Sequence, residues 1–240
     1  MTRLLADLTW PEAEGTGVDT VLAVPVGATE QHGPHLPLST DTDISVALAQ
    51  ALGARRRQVL VAPPVAYGSS GEHAGFPGTL SIGQEAIELL LVELGRSASA
   101  AFPRMLLISG HGGNQAPLRR ACERLTAEGR DVRTFFPAWL SDAHAGRAET
   151  SLMLALAAAR VRLERAEPGE TEPLAELLPR LVRSGVREVS ANGILGDPAG
   201  ASAAEGRMLL NRAVGELVDF VDAWGERGAS PARPEPAGRP

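Results

Sequence analysis

Four short apolar runs, rich in β-branched residues or leucine, punctuate the chain at 20–26, 59–63, 105–109 and 132–136. Each has the length and composition of a strand buried on both faces. Helix-like stretches follow all four, after a long loop in the second case. Ile44, Leu48 and Leu52 recur at helical spacing over 43–55. Ser81 and Gln84 stand three apart, as in a capping box, before a helix to about 100. Leu118, Cys122 and Leu125 share one face of 116–128, and 150–162 is dense in leucine and alanine. Strands that alternate with helices predict an α/β fold with a mostly parallel sheet and helices on both faces. Residues 164–173 are acidic, carry two prolines and read as a loop. A last helix is expected over 203–224. The division expected is one domain over 1–226 and a disordered, Pro- and Gly-rich tail over 227–240.

Composition narrows the function classes. Hydrophobic residues make up 44% of the 240 and aromatics only 4%, so the core must rest on aliphatic side chains. The net charge is −6, with no basic run and too few aromatics for base stacking, which argues against nucleic acid. All 23 basic residues are arginine, so neither a Schiff-base lysine nor a phosphate-loop lysine exists. The single cysteine, Cys122, lies on an apolar helix face and reads as a buried structural thiol. One cysteine, no signal-peptide pattern and no apolar stretch near the ~20 residues of a membrane span predict a cytoplasmic protein.

The polar residues then fall into a pattern. Glu30, His32 and His35 follow the first run, Glu72 and His73 the second, His111 and Asn114 the third, His144 and Glu149 the fourth. All five histidines therefore lie in loops after strands. In open parallel sheets that is the edge where ligands bind. Glu30 and His32, with Asp41 eight intervening residues later, have the donor types of a Zn, Fe or Mn site. The plainer alternative is a polar loop with a capping Asp before the Ile44 helix. The SGHGGN turn could bring backbone close to a ligand through Gly112 and Gly113, or be a glycine turn with an incidental His111. Glu149 could simply favour a helix dipole. His73 could line a substrate pocket or be exposed, Glu72 reads as a solvated loop carboxylate, and His35 has no evident role.

The runs GATEQHGPHLPLSTD, GSSGEHAGFPGT, SGHGGN and HAGRAETS occur in that order. Together they resemble the creatininase family over about 22–151, and less distinctly to 224. The resemblance implies a three-layer α/β/α fold, a homo-oligomer and two divalent metals, Fe or Zn ahead of Mn. It implies Glu30, His32, Asp41 and His111 as metal ligands, with Asp41 the bridge. Creatinine-cleaving members carry a Glu where this chain has Gly113, so Glu149 becomes the candidate for the missing ligand. Within the family the chain looks most like members that trim the C-terminus of a ribosomally made, modified precursor peptide. Expected roles are then catalysis for His144 and Glu149, with His144 giving a proton to the leaving nitrogen, and substrate binding for His73, Gly112, Gly113 and Asn114. A small-amide hydrolase of the creatinine or formamide type, and a metal-binding regulatory module without turnover, stay open.

Overall fold

A computed structural model describes residues 2–138 and 142–228. The elements run β1 (Arg3–Leu4), α1 (Trp10–Glu14), β2 (Val21–Pro25), α2 (Thr40–Arg55), β3 (Val59–Val61), α3 (Gln84–Ala98), β4 (Arg104–Ile108), α4 (Gln115–Ala127), β5 (Asp131–Phe135), α5 (Arg147–Ala157), α6 (Leu174–Val189) and α7 (Ala203–Gly228). The five strands form one parallel sheet in the order β1-β3-β2-β4-β5. Strand periodicity divides the core. Val21 and Ala23 of β2, with Leu106 and Ile108 of β4, meet Leu48 and Leu52 of α2, Leu152 of α5 and Leu217 of α7. Leu22, Val24, Met105 and Leu107 point the other way, against Ile87 and Leu91 of α3 and Leu118 and Leu125 of α4. Side chains alternate across a strand, so a run buried on both sides needs a helical layer on each. Each fully buried Leu or Ile contributes about 1.5–3 kcal/mol of burial. The three-layer α/β/α expectation holds.

Several elements differ from the sequence reading. β1 is two residues long and too short to show a period. α2 begins at Thr40, so Asp41 sits buried in its first turn rather than in a loop ahead of it. The capping box at Ser81 does not form; Gly83 caps α3, and Ser81 Oγ accepts N–H bonds from Ser70 and Gly83 instead. α6 follows the acidic loop and has no counterpart among the expected elements; Pro179 lies inside it and Gly185 kinks it at φ 74°. The proposed tail falls almost wholly outside the described residues. No helix among the described residues is long and apolar enough to cross a membrane.

The sheet order fixes where a ligand could enter. The chain runs from β2 through α2 to β3 on one side, and from β3 through α3 to β4 on the other. Connections diverge around β2, and a crevice opens at the carboxyl ends of such strands.

Candidate metal centre

The loop after β2 turns back on itself so that Glu30 and His32 reach the same crevice as Asp41 of α2. Gly27 makes this possible, because a Cβ there would lie 2.2 Å from Thr42 Oγ1 and 2.5 Å from Thr42 Cα. His111 arrives from the end of β4, His73 from a short turn after β3, and His144 and Glu149 from the segment entering α5. All except Glu149, which is partly exposed, are buried.

Their atoms form adjoining groups. Glu30, Asp41 and His111 offer ligand atoms within 4.8 Å of one another, as do His32, His144 and Glu149, and Glu30, His73 and His144. His111 Nδ1 lies 3.3 Å from Glu30 Oε1 and 3.6 Å from Asp41 Oδ2. On the other side, His32 Nε2 lies 3.5 Å from Asp41 Oδ1 and 3.9 Å from Glu149 Oε2. The two oxygens of Asp41 thus face separate groups. Glu30 Oε1 and Oε2, His32 Nε2 and Asp41 Oδ2 are buried without a hydrogen-bond partner. Burying an ionised carboxylate with no donor costs several kcal/mol, whereas a divalent cation is a partner of the required sign. Carboxylate and imidazole donors suit Zn, Fe or Mn. The residues present therefore fit a metal.

Hydrogen bonds fix which nitrogen of each ring is available. His32 Nδ1 bonds the Glu30 carbonyl at 3.1 Å, leaving Nε2 for the centre. His111 Nε2 donates to the Ser69 carbonyl at 2.7 Å, leaving Nδ1. Gln31 sets the other two rings. Its Oε1 accepts from Gly33 N–H and its Nε2 donates to the Gly193 carbonyl, which orients the amide. The remaining amide hydrogen reaches His73 Nδ1 at 2.8 Å, so His73 carries its proton on Nε2, 3.4 Å from Glu30 Oε1. His144 Nε2 donates to the Gln31 carbonyl at 2.8 Å, and its Nδ1 lone pair faces Glu30 Oε1 at 3.7 Å. The rings of His32 and His73 flank that of His144, with centroids 4.3 and 4.4 Å away.

Electrostatics follow from this crowding. Burial disfavours protonation of His32 and His111, but Asp41 beside the first and Glu30 beside the second overturn it and hold both near 10. His144 is pushed well below its ordinary value by burial and by His32. Burial and the neighbouring His144 bring His73 to about 3. Glu149 rises to about 7, chiefly through burial. Its Oε2 accepts the Ala145 N–H at 2.6 Å, and Ala145 takes a left-handed φ of 53°, which is uncommon for a residue with a Cβ.

The remaining candidates divide. His73, expected at the pocket edge, is 4% exposed and reaches the Glu30 carboxylate while also lining the cavity described below. Asn114, expected to bind substrate, is committed: its side chain accepts the Ser69 N–H and donates to the Gly27 carbonyl and Ser109 Oγ. Gly112 and Gly113 line the cavity as part of a single 3₁₀ turn. A Cβ on Gly113 would fall 2.1 Å from the Ser69 carbonyl oxygen and 2.5 Å from Glu72 Oε1. Glu72, read as a solvated carboxylate, is therefore a half-buried neighbour of His111, 4.0 Å from its Nε2, and burial raises its pKa. His35 bonds Thr150 Oγ1 at 2.8 Å, joining the ligand loop to α5. Sequence alone assigns Gln31 no such role, since nothing in its residue type marks it as the group that orients one imidazole with its side-chain amide and another with its main-chain carbonyl.

A cavity of about 750 Å³ opens above Glu72, His73, His111 and His144. That volume suits a substrate larger than a few atoms. A family model described as creatininase, creatinine amidohydrolase, matches residues 6–221. The chain is 49% identical over 215 residues to the mycofactocin precursor peptide peptidase of Mycolicibacterium smegmatis, covering 85% of each. Its structure is similar to a zinc–zinc form of a mutant creatininase, with TM-score 0.79 and 27% identity over 93% of this chain and 98% of that one. It is also similar to a manganese form of creatininase, with TM-score 0.79 and 26% identity over 93% and 99%.

Proposed function

From the premise that the chain belongs to the creatininase family, we propose that it is a metal-dependent peptidase that trims the C-terminus of the modified precursor peptide in mycofactocin biosynthesis. The observation that carries the chemistry is the pair of ligand groups on either side of Asp41, beneath a cavity of about 750 Å³. The two-metal reading assigns Glu30, Asp41 and His111 to one cation and His32, Asp41 and Glu149 to the other, with Zn, Fe or Mn as the ions. When bound, such cations polarise a carbonyl and acidify water.

The chain's own groups move the proton. His144 Nδ1 is unprotonated and faces the centre because Nε2 is tied to the Gln31 carbonyl. It accepts the proton of the attacking water as the new C–O bond forms. It then returns that proton to the leaving nitrogen as the C–N bond breaks. His73 Nε2–H presents a donor on the cavity side of Glu30, and Gln31 holds both rings in register. Glu149 orders the turn at Ala145 and completes the ligand set beside His32.

The proposal includes a cytoplasmic homo-oligomer with one domain over 1–226. The lone Cys122 and exposed apolar side chains such as Trp10 and Met208 support it. The deciding experiment incubates metal-loaded enzyme with the modified precursor and, separately, with creatinine, and follows products by mass spectrometry. Loss of a small C-terminal fragment, probed for the mass of a dipeptide, is expected. Hydrolysis of creatinine with an intact precursor would replace the peptidase by a small-amide hydrolase, and bound metal with no hydrolysis of either would favour a regulatory module.

A further inference from the structure

The cavity has two unlike walls above its His and Glu floor. One is α6, which turns Leu174, Leu178 and Val182 toward it at intervals of four, backed by Leu181 and Val186. The first three are 49%, 52% and 81% exposed, an apolar stripe left open beside a polar centre. The other wall is polar and comes from the start of α3 and the first two turns of α4, with Gln84, Gln115 and Arg119. Among the described residues lining the cavity, Arg119 carries the only guanidinium. Its one hydrogen bond goes to Gln115 Oε1 at 3.3 Å, and no carboxylate lies within ion-pair distance of it among the described residues. Its neighbours on the same helix are engaged outward, Arg120 with Glu88 at 2.6 Å and Arg124 with Glu128 at 3.8 Å.

Glu72 lines the floor of the cavity, and the Glu30 carboxylate lies against His73, His111 and His144, which line it too. A substrate with a free carboxylate entering such a site needs a cation set back from the reacting bond. Arg119 stands one helical turn beyond Gln115, about 6 Å further along α4. A guanidinium can meet a carboxylate with two parallel N–H···O bonds. The backbone N–H groups of residues 112–114 are a poorer anchor, since they belong to one 3₁₀ turn directly beside His111.

We propose that Arg119 binds the C-terminal carboxylate of the leaving fragment, so that the enzyme measures its cut from a free peptide end while the α6 stripe receives that fragment's side chains. This rests on the peptidase reading and adds to it the group that selects the end of the chain.

The test compares metal-loaded wild-type enzyme, R119Q and R119K on the modified precursor with a free C-terminus and on the same peptide as its C-terminal amide. Wild type is expected to favour the acid by about 10- to 100-fold in kcat/KM, the range of a hydrogen-bonded charge. R119Q should narrow that ratio to near one through a raised KM on the acid, and R119K should restore part of it. Metal content and melting temperature, measured on each variant, establish that the fold is intact. Equal cleavage of acid and amide by wild type, or an equal loss on both substrates in R119Q, overturns the anchor and leaves the peptidase reading standing. Failure of wild type to shorten either peptide overturns the peptidase reading, and the anchor with it.

Discussion

His35 offers a measurable test of how the site is fastened together. Its ring is fully buried, Nε2 meets Thr150 Oγ1, and Nδ1 has no partner. Burial and the nearby His32 lower its pKa from 6.5 to about 4. A group with a depressed folded-state pKa contributes stability above its unfolded value and loses it as pH falls through the folded value. For His35 that window runs from 6.5 down to about 4. Linkage over those two values gives a loss of at most about 2 kcal/mol between pH 7 and pH 5. In a chain of this size that corresponds to roughly 4–7 °C in melting temperature. His35→Gln keeps a group able to bond Thr150 and removes the titration. Calorimetry on parent and variant from pH 8 to pH 5, with chelator present, isolates this group by difference, because His32 and His111 titrate in both proteins. The variant is expected to be the less acid-sensitive by that amount. Parallel melting curves across the whole range would show that His35 is not held neutral, and the account of the joint to α5 would fail.

The ligand assignments are open to metal analysis. Asp41→Ala should strip both ions with the fold kept; two ions per chain in the variant would remove Asp41 from the bridging position. Glu149→Gln should lose mainly one ion, whereas unchanged occupancy would leave Glu149 only its bond to Ala145. His144→Asn should retain metal but slow turnover by roughly 10²–10⁴-fold, and loss of metal instead would make His144 a ligand through Nδ1.

The layers were legible because β2 and β4 are buried on both faces, and their continuous apolar runs say so without reference to partners. The positions of Glu30, His32, His111 and His144 could be read for a related reason. They follow strands, and parallel strands all end at one edge. α6 could not be read in the same way. Its apolar residues do recur at helical spacing, at Leu174, Leu177, Leu178, Leu181 and Val182, but Pro179 and Gly185 within the run argue against a helix, and the face carrying Leu174, Leu178 and Val182 meets a cavity while Leu177 and Leu181 are buried. α2 starts three residues before the stretch that Ile44, Leu48 and Leu52 mark, because Pro37 and Ser39 resemble a loop, and Asp41 therefore lies inside the helix. Gln31 and Gly193 lie 162 positions apart, and only folding reveals that the amide of one is oriented by the carbonyl of the other. A Cβ on Gly193 would lie 2.0 Å from Gln31 Oε1, so the glycine and the glutamine form one unit.

The same crowding explains why this crevice demands positive charge. Glu30 is fully buried with neither oxygen hydrogen-bonded, and Asp41 is held ionised, well below the usual carboxylate range, by His32 and His111 against the opposing effect of burial. Two remedies are available to such a cluster. Protons can sit on His32 and His111, which Asp41 and Glu30 respectively favour, or cations can replace them. These are competing occupants of the same atoms, so cation binding releases protons and strengthens as pH rises. His144 and His73 escape the competition in part. Gln31 holds their tautomers through neutral hydrogen bonds, and burial keeps both rings uncharged. The centre thus separates two kinds of histidine: His32 and His111, whose positive charge a bound cation would replace, and His73 and His144, which burial keeps neutral. Only an uncharged imidazole with its lone pair turned inward can take up the proton of an attacking water, and that is the state in which His144 is held.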